Sequence, residues 1–130
     1  MKQIAKNQFY EMAVDPAKNR LYFTMMGAWE GASSDVPAYL VDWDRTIGEL
    51  TRGFTALGDF TQAKPAPPEV GALHVAAQEK MVKAGLSKAA EVMPRDAVLK
   101  MQIDQLAQKS EMLKMAFASK AEAEAWLDEK

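Results

Sequence analysis

Two segments near the beginning of the chain have the alternation and the residue types of β-strands. They run from Phe9 to Val14 and from Arg20 to Gly27, and the DPAKN segment between them has the Pro and Asn of a tight turn. The pattern therefore predicts an antiparallel hairpin. The second strand is apolar on both faces, which consist of Leu21, Phe23 and Met25 and of Tyr22, Thr24 and Met26. Residues 1–7 are polar, and we expect them to be frayed.

Apolar residues at helical spacing follow in two long segments. The first comes after a loop over residues 27–34, with Ser34 as the N-cap and Trp43 in the apolar stripe. The second runs from Pro68 to Ala84 and ends at Gly85. Both patterns predict helices that pack on a sheet through one face.

The rest of the chain continues this alternation of strands and helices. Short strands are predicted from Phe54 to Asp59, from Lys88 to Met93 and from Met112 to Ala118. A third helix is predicted over Asp96 to Ser110, and Ser119 begins a terminal helix with a capping box. Strands that alternate with helices in this order indicate an α/β fold.

A single domain over residues 1–130 accommodates all of these elements. An N-terminal β-hairpin leads into βα units, which gives a mostly parallel sheet of about five strands with about four helices mainly on one face. The opposite face is then bare, although the second strand needs cover on both sides. We therefore expect a second copy of the chain, or a stray helix, to cover that face.

Composition and charge narrow the classes of function. Hydrophobic residues make up 48% of the chain and charged residues 26%, as in ordinary soluble domains. The net charge of −2 argues against nucleic acid as a partner. The sequence has no membrane span and no secretory signal, so we expect a cytoplasmic protein. With no Cys and a single His, it has no thiolate zinc site and no thiol nucleophile.

The junction between the third strand and the second helix is the favoured place for a ligand or partner. In α/β folds the crevice at the carboxyl ends of the strands commonly binds them, and Asp59, Thr61 and Lys64 lie there. The prolines of the KPAPP segment lack amide donors, which argues against a phosphate cradle. The structural alternative is that Asp59 and Thr61 bond locally to turn amides.

His74 is the fourth candidate binding residue, at the border of the apolar face of the second helix. No Ser, Cys or second His is spaced to form a dyad or a metal site with it, so we expect no catalytic residue, metal or cofactor. The alternative for His74 is a half-buried, hydrogen-bonding residue. An enzyme would depend on Asp59, Glu69 and His74, which is the weakest interpretation. Asp42 and Asp44 are interpreted as solvated surface residues.

Several segments resemble one family of small domains. They are DPAKNRLYFTMMG, the helix with its Trp, LGDFT and the terminal FASKAEAEAWL. Over nearly the whole chain, their succession resembles the SpoIIAA-like branch of the sulphate-transporter and anti-sigma-factor-antagonist (STAS) fold. The resemblance implies a small bacterial cytoplasmic domain, or an appendage of a larger protein, that binds protein partners and sometimes small ligands.

The phosphoswitch of that family is not retained in this chain. Asp59, Phe60 and Thr61 resemble the family's Asp-Leu-Ser strand end, but the phosphorylated Ser is missing because the matching region reads AKPAPPEV. The resemblance therefore implies a non-catalytic interaction or regulatory domain, with a homodimer and a protein partner expected. The alternative is a small-molecule or lipid-binding domain with an apolar cavity under its helices.

Overall fold

A computed structural model describes residues 1–27, 36–64, 68–94 and 113–129. Within these ranges, six strands and three helices follow one another in the manner of an α/β fold. The strands are β1 (Lys2–Lys6), β2 (Tyr10–Asp15), β3 (Arg20–Gly27), β4 (Thr55–Ala63), β5 (Lys88–Val92) and β6 (Lys114–Phe117). The helices are α1 (Val36–Gly48), α2 (Pro68–Ala84) and α3 (Lys120–Asp128).

The strands form one mixed sheet in the order of the chain. The pairs β1–β2 and β2–β3 are antiparallel, whereas β3–β4, β4–β5 and β5–β6 are parallel. An antiparallel hairpin therefore leads into parallel βα units, as the sequence predicts. The sheet has six strands instead of about five, because the segment expected to be frayed forms β1. Ile4 and Ala5 pack against the core and hold this otherwise polar strand in place.

The bounds of β3 and α2 agree with the predicted ones. α2 ends in a Schellman motif, in which the Leu86 amide donates to the Met81 carbonyl at 3.0 Å and the Gly85 amide donates to the Val82 carbonyl at 3.1 Å. Gly85 has a φ of 102°, a conformation that favours glycine. The structure thus confirms that Gly85 ends the helix.

Helices lie on both faces of the sheet. The main core lies between the sheet and the pair α1–α2, and it includes Phe23, Tyr39, Trp43, Phe60, Val70 and Met81. A second core lies under α3 and consists of Leu57, Ala90, Val92, Ala123 and Leu127. Ala56 and Leu57 are neighbours in β4 but belong to different cores, so the two cores lie on opposite faces.

The expected one-sided arrangement of helices therefore needs a correction. α1 and α2 share a face as predicted, whereas the opposite face, for which a second copy of the chain or a stray helix was expected as cover, is covered by α3 of the same chain. Tyr22 of β3 packs against the core under α3, whereas Leu21 and Phe23 belong to the main core, which confirms the predicted alternation. The predicted helix over Asp96–Ser110 and the predicted N-cap Ser34 lie outside the described residues.

Candidate functional site

Asp59 lies in the inner strand β4 and is 8% exposed. Its side chain points to the face covered by α3, because Leu57, two residues earlier, belongs to the core under that helix. Asp59 Oδ1 accepts hydrogen bonds from the Thr61 amide at 3.0 Å and from the Thr61 hydroxyl at 2.7 Å. Asp59 Oδ2 lies 4.0 Å from Lys120 Nζ. The carboxylate is therefore bonded locally, as the structural alternative predicts.

Thr61 and Lys64 are exposed at the carboxyl end of β4. The sequence predicts that this strand ends at Asp59, but it continues to Ala63, so Thr61 is a strand residue and not a turn residue. The parallel partner β3 supports the extension, because Gly27 pairs with Ala63. Of the two exposed side chains, the Thr61 hydroxyl is engaged by Asp59.

His74 is buried in the main core, and not half-buried as the sequence indicates. Its Nδ1 shares a hydrogen bond of 2.6 Å with the Tyr39 hydroxyl. Its ring lies edge-on to Tyr39 and Phe23, with centroid distances of 5.3 and 6.5 Å. Burial lowers the pKa of His74 to about 4, so the imidazole is neutral at pH 7.

The four candidate residues do not form one site. Asp59 points to the face under α3, whereas His74 lies on the opposite face under α2, so the sheet separates the two side chains. Thr61 contacts Asp59, and Lys64 follows the end of the same strand. The structure thus brings Asp59 and Thr61 together and leaves His74 apart. A shared acid–base pair of Asp59 and His74 is excluded by this geometry.

A polar cluster that the sequence does not reveal lies between α1, α2 and the sheet. It consists of Tyr39, Trp43 and His74, and Gln78, which follows His74 by about one turn of α2, is buried as well. Burial raises the pKa of the Tyr39 phenol. The Trp43 indole N–H lies near enough to the Tyr39 oxygen to lower that pKa in turn, but without hydrogen-bond geometry. Trp43 Nε1 and Gln78 Oε1 have no hydrogen-bond partner in the described part of the chain.

Asp42 is not the solvated surface residue that the sequence indicates. Its Oδ2 accepts a hydrogen bond of 2.6 Å from the hydroxyl of Tyr10, which is fully buried in β2. The Asp42 side chain is only 14% exposed and also pairs with Arg45. Asp44 is 61% exposed and pairs with Lys80, so for Asp44 the surface interpretation is confirmed.

A second polar cluster holds α3 against the sheet, and we call it the α3 clamp. It consists of Arg20 and Tyr22 on β3 and of Glu124 and Asp128 on α3. The Arg20 guanidinium donates to both carboxylates and, through Nε, to Thr55 Oγ1 at 2.8 Å, and the Tyr22 hydroxyl donates to Glu124. Only 4% of the Arg20 side chain is exposed. A buried guanidinium with two carboxylate partners is a directional anchor for a helix.

The pKa shifts in the α3 clamp follow from these contacts. Burial, and then the hydrogen bond to Glu124, raise the pKa of Tyr22 to about 12. Burial lowers the pKa of Arg20, but its bonds to Asp128 and Tyr22 and the attraction of Glu124 outweigh this effect and raise it overall. The hydrogen bond from Arg20 lowers the pKa of Asp128. Arg20 and Asp128 therefore stay charged at neutral pH, and Tyr22 keeps its proton.

Lys88 adds a further contact at the last turn of α3. Its Nζ donates to the carbonyls of Trp126 and Glu129 at 2.8 and 3.0 Å, and it lies 4.5 Å from the centre of the Trp126 ring. A cation near the carboxyl end of a helix stabilises its dipole, and a cation over an indole is attracted to the ring face. β3 and β5 therefore both bind α3 through cationic side chains.

In the described ranges, no three His, Asp or Glu side chains are grouped as ligands of a metal ion. None of the described helices is both long and apolar enough to cross a lipid bilayer. No family model, curated protein or solved structure matches the chain.

Proposed function

We propose that the chain is a non-catalytic, STAS-like interaction domain of the SpoIIAA-like type, that it is cytoplasmic and bacterial, and that it works as a homodimer that binds a protein partner. The support from the fold is general: an antiparallel hairpin leads into parallel βα units within one mixed sheet. The support from the residues is more specific and comes from the positions and hydrogen-bond partners of the ionisable side chains.

The observation that carries the proposal is the placement of the side chains with shifted pKa values. Tyr39 and His74 are bonded to each other inside the main core, whereas Arg20, Tyr22 and Asp128 belong to the α3 clamp on the other face. Enzymes bring such groups together in one cleft, where they exchange protons with a substrate. Here they anchor helices instead, which supports recognition as the role of the domain.

The end of β4 supports the absence of a phosphoswitch. The Thr61 hydroxyl donates to Asp59 Oδ1 at 2.7 Å, so a phosphoryl group on Thr61 would replace this bond and face a carboxylate. Like charges at that distance disfavour the modification. Incubation with an ATP-dependent kinase of the switch type is expected to leave Thr61 unmodified, and stoichiometric phosphate on Thr61 would overturn this part of the proposal.

Native mass spectrometry of the purified full chain tests the proposed function. The expected species is a dimer of bare chains, with twice the 14.4 kDa of one chain. A bare monomer at every concentration would contradict the proposed homodimer, and turnover of a substrate in a separate assay would contradict the non-catalytic role. A constant extra mass on each chain would instead identify a bound small molecule and favour the second candidate.

That second candidate is a small-molecule or lipid-binding domain, and the polar cluster between α1 and α2 favours it. Trp43 Nε1 offers a donor and Gln78 Oε1 an acceptor inside a core that is rich in aromatic rings. Buried polar groups are normally paired, so each of these two atoms is a candidate contact for a bound molecule. If this candidate is correct, exchanging Gln78 for Leu removes the bound mass, whereas exchanging the exposed Glu79 for Leu retains it.

A further inference from the structure

The inference concerns α3 and the groove that it occupies, which consists of Leu57, Ala90 and Val92 of the second core with Arg20 and Lys88 at its rim. These three apolar residues are 1%, 0% and 2% exposed while α3 is in place. Without the helix, they would form an apolar strip beside two cations. Such a strip on a sheet face needs a cover in water.

The packing of α3 is limited and is separate from the main core. α3 has nine residues, of which Ala123 and Leu127 are buried. A helix of this length is marginal by itself, so its helicity depends on docking. None of its residues belongs to the main core between the sheet and the pair α1–α2. Opening of α3 therefore leaves that core in place, as expected of a local unfolding unit.

Charged groups supply most of the specific contacts of the docked helix. Glu124 and Asp128 lie four residues apart on one side of α3 and both meet Arg20. Lys18 lies 3.8 and 3.5 Å from the same two carboxylates. Lys18, Arg20 and Lys88 make most of the groove cationic, while Asp59 faces Lys120 near the start of the helix. Charge complementarity therefore selects an amphipathic helix with carboxylates towards its carboxyl end as the occupant.

From this geometry we infer that α3 is a releasable cover, and that the groove of one chain accepts α3 of a second copy in the homodimer. The inference rests on the proposed function for the existence of that dimer. A second copy is the occupant that fits because its α3 carries the same apolar pair and the same carboxylates. When two chains exchange an identical element, each contact between α3 and its groove forms again between the chains, so the dimer needs no additional interface.

The connection between β6 and α3 suits such an exchange. Ala118 and Ser119 are the only residues between the two elements, and Ser119 has an extended backbone with φ −141° and ψ 156°. A change of backbone conformation in so short a connection would carry the whole helix away from its own groove and towards that of a neighbour. The groove of the neighbour is empty when its own α3 leaves in the same step.

Charge reversal in separate chains tests this exchange directly. In the groove variant R20E, the new carboxylate meets Glu124 and Asp128, and in the helix variant E124K/D128K, the two new Lys side chains meet Arg20. Like charges therefore meet within each variant chain and also in a homodimer of that variant. We expect each variant alone to lose the dimer. An equimolar mixture is expected to form a heterodimer, because the acidic α3 of the groove variant meets the Arg20 of the helix variant and the basic α3 meets the reversed groove. The triple variant R20E/E124K/D128K is the matched control, and it is expected to dimerise as the wild type does.

Native mass spectrometry, with one variant labelled with ¹⁵N, separates the outcomes. Homodimers of either single-sided variant would overturn the inference, since the chains then dimerise through another surface and the proposed function stands. A mixture that stays monomeric while the triple variant dimerises would also overturn it. A monomeric wild type together with a heterodimer of the variants would remove the proposed homodimer but retain the exchange of α3.

Hydrogen exchange of the full chain tests the release of α3 independently. In E124Q/D128N the amides of α3 are expected to exchange at least about tenfold faster, because bonds to a charged partner are lost, while the amides of β2 and β3 keep their rates. The control E49Q/D44N removes two carboxylates from the exposed pairs with Lys2 and Lys80, and is expected to change neither set. The inference would be overturned if E124Q/D128N exchanged the amides of α3 and of the core strands equally faster, because α3 would then not open separately. Unfolding of R20E under conditions in which the triple variant folds would overturn it for the same reason.

Discussion

At the scale of single residues, His74 shows how a polar side chain is accommodated in an apolar core. It is the only His of the chain, its ring lies edge-on to Phe23 and Tyr39 of the main core, and it shares a 2.6 Å hydrogen bond with the Tyr39 hydroxyl. Burial keeps the imidazole neutral, because the charged form would lose its hydration inside the core. The stability of the fold is therefore linked to pH through this residue.

The first prediction is that the free energy of unfolding falls as the pH is lowered from about 6.5 to about 4. The pKa of His74 is about 4 in the folded chain and 6.5 in the unfolded chain, so within this window only the unfolded chain binds the proton. The full loss is about 3 kcal/mol and is absent above the window. Urea titrations at pH 7 and pH 4.5 measure it.

The matched variant for this measurement is His74→Asn, whose side-chain oxygen can replace Nδ1 as a partner of Tyr39 but cannot be protonated. Its absolute stability is lower because it leaves a cavity, but its dependence on pH is expected to be flatter than that of the wild type by the same amount. Equal pH dependence of the two proteins would mean that the folded chain protonates His74 as readily as the unfolded one.

The second prediction concerns Gly85, which ends α2 with a φ of 102°. A side chain is strained in this conformation, and a Cβ would also lie 2.3 Å from Arg52 Cγ. Gly85→Ala is therefore expected to lower the free energy of unfolding by about 1 to 3 kcal/mol. Gly48→Ala is the control, since a Cβ at this last residue of α1 meets no atom within 4 Å. It is expected to be neutral or to stabilise the chain by up to about 1 kcal/mol, and equal losses in both variants would contradict this account.

At the scale of elements, the contacts that fix α3 on the sheet differ from those that fix α1 and α2. α1 and α2 bury Tyr39, Trp43, Val70 and Met81 in the main core, whereas α3 buries Ala123 and Leu127 and depends on the α3 clamp. Ser119 is the N-cap of α3, as the predicted capping box requires, because its hydroxyl accepts from the Glu122 amide at 3.3 Å, and Glu122 Oε1 accepts from the Ser119 hydroxyl at 3.1 Å. For a short helix with little buried surface, this cap is a substantial part of its local stability.

The third prediction follows from this cap. Ser119→Ala removes the acceptor for the Glu122 amide and is expected to destabilise α3 by about 1 kcal/mol, which speeds the exchange of its amides roughly fivefold. Ser119→Asp retains an acceptor at the N-cap and is expected to keep the exchange rates close to those of the wild type. If Ser119→Ala left the exchange of α3 unchanged, the cap would not stabilise the docked helix.

At the scale of the whole molecule, the local elements could be predicted from the sequence, but the distribution of helices over the two faces could not. β3 and α2 have the predicted bounds because turn residues and Gly85 mark their ends. β4 and β5 place apolar residues on both faces, and this pattern does not say which helix covers which face. The sequence does not predict β1 because most of its residues are polar, and its pairing with β2 and the packing of Ile4 and Ala5 on the core stabilise it.

The candidate site was predicted only in part for the same reason. The contact between Asp59 and Thr61 is local and could be read from their spacing, whereas the separation of Asp59 from His74 depends on the face to which α2 crosses. The pairing of Arg20 with Glu124 joins residues 104 positions apart. The only local signal for the α3 clamp is that Glu124 and Asp128 share one side of a helix.

The fourth prediction is the most direct test of the claim that the domain serves recognition as a homodimer. Sedimentation velocity of the full chain, measured from below to above micromolar concentrations, is expected to show a monomer of 14.4 kDa that converts reversibly to a dimer as the concentration rises. A single monomeric species over the whole range would contradict the claim.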